Sequence, residues 1–305
     1  MDAATVDQIQ LNFSPASLGA LNVIIAIILF GVALDLRVSD FRAVLRKPQG
    51  FAAGMICQFL LLPALAWACI LLMRPDPGVA LGLLLVASCP GGNVSNFLTA
   101  MARGNAALSV SMSGVSTLAS IIMTPANFVF WARRYEPTEA LLQTLSLSPS
   151  DIFMTVLLIL VIPTLCGMGA AARFPELAAR IQRPMHMLSM VFLGLFILGG
   201  LLGNWQAFIN HVGVAFGIVA IVNALGLTAG YTLARLAGLD EADGRAVAFE
   251  TGIQNSGFGL LICFNHFAGL GGMAIIVAWW GVWHLISGWG LATLWKRRIP
   301  RVPER

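Results

Sequence analysis

Charge is scarce in this 305-residue sequence. Asp, Glu, Lys and Arg together make up 10% of it, where a soluble domain carries about 25%. That excludes a soluble enzyme, and a chain this apolar is no disordered segment. The five cysteines, Cys57, Cys69, Cys89, Cys166 and Cys263, are scattered with no CxxC pair, which argues against a disulfide framework or a zinc site. Residues 1–15 hold Asp2 and Asp7 and no basic residue. They lack the n-region of a secretory signal, so the first apolar run is expected to be retained. Asn12-Phe13-Ser14 matches a glycosylation sequon, a motif short enough to arise by chance. The pI is near 9.0, but the basic residues sit between apolar runs and form no single basic face, so no nucleic-acid partner is expected. No metal-ligand cluster, nucleophile–base pair, soluble output domain or low-complexity linker is visible. A membrane enzyme or receptor-like sensor is therefore disfavoured.

Apolar residues are abundant: 58% of the chain is hydrophobic and the mean hydropathy is +0.84. A membrane span takes roughly 20 residues. Nine fit the apolar runs, near 17–36, 48–73, 78–101, 105–131, 151–172, 184–204, 211–235, 244–267 and 271–295. They are expected to be helices, because lipid offers open backbone groups no partner. The chain thus reads as an all-α polytopic membrane protein forming one membrane unit over residues 1–305, with the lipid bilayer as its surroundings and no obligatory protein partner evident. Arg74, Arg133 and Arg134 fall on one side of this topology, and the other fifteen of the 18 basic residues fall on the opposite side. The positive-inside rule then puts the C-terminus in the cytoplasm and the N-terminus outside. Thr138 to Leu147, between spans 4 and 5, reads as a short interfacial helix. Trp131, Trp205 and Trp295 lie near span ends, where interfacial anchors belong.

Three apolar runs contain breakers, at Pro90-Gly91-Gly92, Pro163 and Gly252. The run from Val79 to Cys89 is 11 residues, or about 16 Å at ~1.5 Å per residue, so the first break falls near the membrane midplane. Pro90 removes a donor and crowds the previous turn, and Gly91 and Gly92 permit unwound backbone. Span 8 carries a second interruption, Glu250-Thr251-Gly252-Ile253-Gln254-Asn255. It comes five spans after span 3, so the two cross the membrane in opposite directions. This is the order of an inverted repeat, spans 1–4 against 6–9, with two broken helices at matching positions. Unwound backbone frees carbonyls for a hard cation such as Na⁺. The second half-helices, opening near Asn93 and Asn255, turn N–H groups and a positive dipole end toward an anion. The alternative is a pair of kinked structural helices, since Gly and Pro are common in membrane helices.

Glu250 stands alone among the acids in lying beside an interior break. A carboxylate at that depth costs a few kcal/mol unless paired, which marks it as functional; the alternative is a protonated side chain bonded to a neighbour. Arg245 is expected to snorkel to the cytoplasmic face rather than pair with it. Gln58 in span 2 and Ser109, Ser111, Ser113, Ser116 and Thr117 in span 4 are weaker signals. Ser109 and Ser113 share a helix face, but by themselves such hydroxyls mean close packing. His284, mid-span in Trp283-His284-Leu285, reads alone as a packing residue.

Together, Cys89-Pro90-Gly91-Gly92-Asn93-Val94-Ser95-Asn96 and Glu250-Thr251-Gly252-Ile253-Gln254-Asn255 resemble the two crossover signatures of the bile acid:sodium symporter family. The resemblance extends to Ala102-Arg103-Gly104-Asn105 and Trp283-His284, and covers most of the chain from Leu18 to Trp295. It implies a panel domain (about 17–36, 151–172 and 184–204) and a core domain (about 48–131 and 211–295) in which the two broken helices cross. Bacterial members often have ten spans, whereas nine resembles the animal carriers.

The resemblance also implies two coupling Na⁺ ions and no other cofactor. One ion would be held by Ser95, Asn96, Ser109, Ser113 and Glu250. The second would be held by Gln58, Glu250 and Gln254 with the carbonyls of Thr251 and Ile253. Asn93, Asn255 and His284 would face the substrate, an organic anion that is bile acid-like or a small carboxylate such as pantoate. The implied activity is Na⁺-coupled import across the cell (inner) membrane by alternating access. Metalloid (arsenite) efflux on a related fold is the rival, raised by Cys89 beside the break and opposed by the intact set of oxygen donors.

Overall fold

The computed structural model describes residues 15–34, 48–92, 94–144, 154, 157–203 and 205–298. The sequon at Asn12 and the substrate candidate Asn93 lie outside these. The described residues are almost all helical, with one isolated β-bridge. α1 spans Pro15–Ala33 and α2 spans Pro48–Met73. The third expected span is split into α3, Pro77–Ser88, and α4, Val94–Met101. α5 is Ala106–Ala132 and α6 is Glu136–Thr144; α6 is the short helix expected over Thr138–Leu147, set two residues earlier. α7 comprises Leu157–Val161 and Ile162–Arg173. α8 is Pro175–Gly203 and α9 is Trp205–Leu236. The eighth expected span is split into α10, Glu241–Gly252, and α11, Ser256–His266. α12 is Gly271–Lys296.

Among the described residues, four helices are long and apolar enough to cross a membrane: Pro48–Met73, Ala106–Ala132, Phe216–Leu236 and Gly271–Lys296. These are expected spans 2, 4, 7 and 9. Asn22–Gly31 and Pro77–Ser88 are shorter apolar helices. α8 begins at Pro175 rather than 184, because proline suits a first helical position and Pro184 lies within the helix without ending it.

Pro163 also fails to break its run. A proline lacks the N–H and crowds the carbonyl four residues back. In α7 the wider π-helical turn Leu157–Val161 precedes Pro163, and in α2 the turn Cys57–Leu61 precedes Pro63. A π turn shifts the hydrogen-bond pattern to the fifth residue, so each helix continues through its proline.

α3 is apolar on every side and is buried from Gly78 to Ser88, the placement expected of a helix without a polar face. It packs on α12, where a Cβ added to Gly82 would stand 2.8 Å from the Met273 carbonyl oxygen. α9 approaches α10 as closely, a Cβ at Gly230 standing 2.9 Å from the Val247 carbonyl oxygen. Small residues at such contacts let helix backbones meet without water. α1 packs against α7 and α8, and reaches α11 at its side.

α10 is polar yet buried from Asp243 to Gly252, so its polar groups need partners. Asp240 caps the helix by accepting from the Asp243 N–H at 2.8 Å. Arg245 departs from expectation. It makes no bond to Glu250, as anticipated, but its side chain is fully buried rather than extended to water. It donates to the carbonyls of Ala102 (2.6 Å), Trp295 (3.2 Å) and Arg298 (3.2 Å), and pairs with Glu241. Those carbonyls lie at the ends of α4 and α12, where the helical pattern leaves acceptors open, and that outweighs snorkelling. The Ala102–Asn105 turn is shaped to the same contact. A Cβ on Gly104 would stand 2.8 Å from the Thr99 methyl and 3.1 Å from the Arg245 Cβ. Asn105 caps α5 through Leu108 N–H (3.1 Å) and donates to Asp243 (2.6 Å).

Candidate functional site

The two broken spans meet at their breaks. Gly91 and Gln254 form an antiparallel bridge, so the chain runs in opposite directions through the two breaks. Gly92 N–H donates to the Ile253 carbonyl at 2.7 Å and Asn255 N–H to the Pro90 carbonyl at 2.9 Å. Much of the backbone unwound at the breaks is thereby satisfied by the other break. Other freed carbonyls find side chains: Ser88 O accepts from Thr124 Oγ1 (2.7 Å), Cys89 O from Gln58 Nε2 (2.6 Å), and Thr251 O from Gln254 Nε2 (2.7 Å). The glycines matter here for close approach as well as for backbone freedom. A Cβ on Gly91 would stand 2.1 Å from Glu250 Oε1, and one on Gly92 2.9 Å from the Gln254 carbonyl oxygen.

Beside the crossing, one carboxylate gathers hydroxyls from two other helices. Glu250 is fully buried. Its Oε2 accepts from Ser95 Oγ at 2.6 Å, Ser113 Oγ at 3.0 Å and Ser109 Oγ at 3.4 Å. Ser113 Oγ also lies 2.8 Å from Oε1. Asn96 Oδ1, 2.8 Å from Ser109 Oγ and 3.1 Å from Ser113 Oγ, is a second acceptor for the single proton that each of these hydroxyls carries. Ser95 and Asn96 lie in the first turn of α4, Ser109 and Ser113 sit one turn apart on α5, and Glu250 lies in the last turn of α10. The structure therefore brings together all five residues of the first expected group. Each presents oxygen, the donor that hard cations take. Bonds to a charged carboxylate are worth about 1.5–3 kcal/mol apiece, which makes a carboxylate tolerable at such depth.

The second expected group is brought together in part. Gln58 lies in the π-helical turn of α2. Its amide exchanges two hydrogen bonds with that of Gln254, at 2.8 and 3.1 Å. The Thr251 carbonyl joins this pair through Gln254 Nε2, whereas the Ile253 carbonyl accepts from the Gly92 N–H of the other break. The hydrogen bonds of Glu250 run to the first group.

The substrate candidates are less unified. Asn255 caps α11, its Oδ1 accepting from Phe258 N–H at 3.0 Å. Its side chain thus covers part of the helix N-terminus that the sequence reading left open to an anion. His284 is buried in α12 and its Nδ1 has no partner among the described residues.

The Sodium Bile acid symporter family model matches residues 22–210, which contain the first broken span. The chain belongs to this family. Over 281 residues it is 30% identical to the uncharacterized sodium-dependent transporter YocS of Bacillus subtilis, covering 92% of this chain and 84% of that protein. It is 31% identical to the probable sodium/metabolite cotransporter BASS1, chloroplastic, of Arabidopsis thaliana, over 92% of this chain and 67% of the relative. The human ileal sodium/bile acid cotransporter is 29% identical over 77% of this chain and 66% of that protein. Membership in this symporter family, with its long apolar helices, makes the chain an integral membrane protein of a transporter rather than an enzyme family. Metalloid efflux finds no support. The relatives above are named for sodium dependence, metabolites or bile acids.

Four polar residues at the crossing escaped the sequence reading. Thr99 donates to Ser109 at 3.3 Å, and Thr124 holds the end of α3. Asn223 in α9 donates to the Gly252 carbonyl at 2.8 Å and accepts from Ser287 Oγ of α12 at 2.6 Å. A lone Asn in the run Ile221-Val222-Asn223-Ala224 was a usable signal, by the same rule that marked Glu250.

Proposed function

We propose that this symporter-family protein imports an organic anion, bile acid-like or a small carboxylate such as pantoate, driven by two Na⁺ ions through alternating access. The observation that carries the reading is the convergence of Ser95, Asn96, Ser109 and Ser113 on the buried Glu250. Four oxygen-bearing side chains from two helices around one carboxylate from a third suit a dehydrated Na⁺. The Gln58–Gln254 pair with the carbonyls of Thr251 and Ile253 supplies oxygens for the second ion. Na⁺ at these positions rigidifies the crossing, which in turn orients Asn93, Asn255 and His284 toward the anion. Two cations with one monoanion move net charge inward.

Nine spans, an outer N-terminus and a cytoplasmic C-terminus in the inner membrane complete the proposal. α1, α7 and α8 form the panel and the remaining long and broken helices the core. The packing of α1 on α7 and α8 supports that division. The test is uptake of labelled taurocholate and pantoate into proteoliposomes under an inward Na⁺ or K⁺ gradient. Accumulation of either anion with Na⁺ alone, enhanced by an inside-negative potential, is the expected result. Equal uptake in K⁺ would refute Na⁺ coupling.

A further inference from the structure

The peptide that ends α10 is held by residues outside both oxygen clusters. Asn223 sits in an apolar stretch of α9 and is 1% exposed. Its amide orientation is unambiguous. The Gly252 carbonyl 2.8 Å away can only accept, so Nδ2 faces it. Oδ1 is left to accept from Ser287 Oγ, at 2.6 Å. A relay thus runs from α12 through α9 to the break, and it fixes one carbonyl in a run of three. Thr251 O accepts from Gln254, Gly252 O from Asn223, and Ile253 O from Gly92 N–H. Three successive carbonyls each have a different donor, and only the middle one is anchored from outside the crossing.

We infer that Asn223, oriented by Ser287, is a positioning residue for the second cation site: it pins the Gly252 carbonyl so that the flanking carbonyls of Thr251 and Ile253 are presented to the ion. This rests on the proposed Na⁺ coupling. A ligand set built partly from backbone depends on peptide orientation, and supports of this kind around a metal typically change affinity about 10- to 100-fold when removed. The first site does not share the dependence, since its oxygens are all side-chain atoms, those of Glu250 and the serines bonded to it and of Asn96 bonded to two of those serines. α9 approaches the break closely, a Cβ on Gly252 standing 2.5 Å from the Leu227 side chain, and Asn223 is buried at that contact.

The test uses purified full-length protein without substrate, titrated with NaCl at constant ionic strength and read by thermal stabilisation and calorimetry. Asn223→Ala is expected to raise the Na⁺ concentration for half-saturation of one phase about 10-fold while the other phase stays in place. Ser287→Ala, a milder change, moves the same phase by a smaller factor because Asn223 stays but loses its orienting donor. In this Na⁺ phase the double variant matches Asn223→Ala alone, since Ser287 reaches the Gly252 carbonyl through Asn223. Lower melting temperatures with both Na⁺ phases unchanged would overturn the inference and leave Asn223 a packing residue. If Asn223→Ala fails to fold, an unchanged Na⁺ titration for Ser287→Ala overturns it. Absence of any Na⁺ response in the unaltered protein would instead overturn the coupling reading itself.

Discussion

Glu250→Gln separates stability from ion binding and should move them in opposite directions. The substitution keeps the side chain's size, which matters because Gly91 leaves no slack beside Oε1. In the absence of Na⁺ it removes a fully buried charge, whose desolvation costs several kcal/mol and is only partly offset by the Ser95, Ser109 and Ser113 hydroxyls. The ion-free Gln variant is therefore expected to melt no lower than the parent. Cation binding behaves otherwise. At ~3 Å and an effective dielectric near 20, one unit of charge contributes about 5 kcal/mol of attraction to Na⁺. A millimolar site is worth about 4 kcal/mol, so losing the charge removes binding altogether rather than weakening it. Differential scanning fluorimetry across a NaCl series, with KCl as control, reads both quantities. The expected record is an unchanged or higher melting temperature without salt and a Na⁺-induced shift absent or much reduced. A Gln variant that keeps the parent's full Na⁺ shift, or still drives Na⁺-dependent uptake, would refute the assignment of Glu250.

Ser109→Ala with Ser113→Ala removes two hydroxyls while leaving the carboxylate. It should raise half-saturating Na⁺ in substrate-free protein by about 5- to 150-fold, from a contact cost of about 1–3 kcal/mol in total. Asn255→Ala should leave Na⁺ binding in substrate-free protein nearly unchanged and weaken the anion, with about 1 kcal/mol of stability lost because Asn255 also caps α11; the opposite pattern would mean the two groups are exchanged. Gly91→Ala puts a methyl 2.1 Å from Glu250 Oε1, whereas Gly92→Ala meets backbone at 2.9 Å. The first should cost Na⁺ response with the fold retained and the second should lower expression and melting temperature; identical losses in both assays would contradict the distinction. Cysteine accessibility at engineered termini should find the N-terminus outside and the C-terminus inside, and both ends on one side would remove the nine-span topology.

Membership of a membrane class, the long helices and the two breaks were legible in composition and order alone. Hydropathy is a sum over neighbours in the chain, and helix breakers act on the turn they sit in. Local physics likewise marked Glu250, because no other acid lies beside an interior break. Local physics misjudged Pro163, where a π-helical turn absorbs the proline, and Arg245, whose guanidinium is buried against open helix-end carbonyls that lie far away in sequence. What tertiary structure alone decided is the pairing of the breaks. Ser95 and Glu250 are 155 positions apart, and no periodicity ties one to the other. The antiparallel bridge between Gly91 and Gln254 sets that register, which is why a kinked pair of helices and a crossover with assembled oxygen clusters read alike until the backbone is seen. The same reason hid Asn223 and Ser287: each is one small polar residue in an apolar helix. Their significance comes only from the Gly252 carbonyl that folding carries to them.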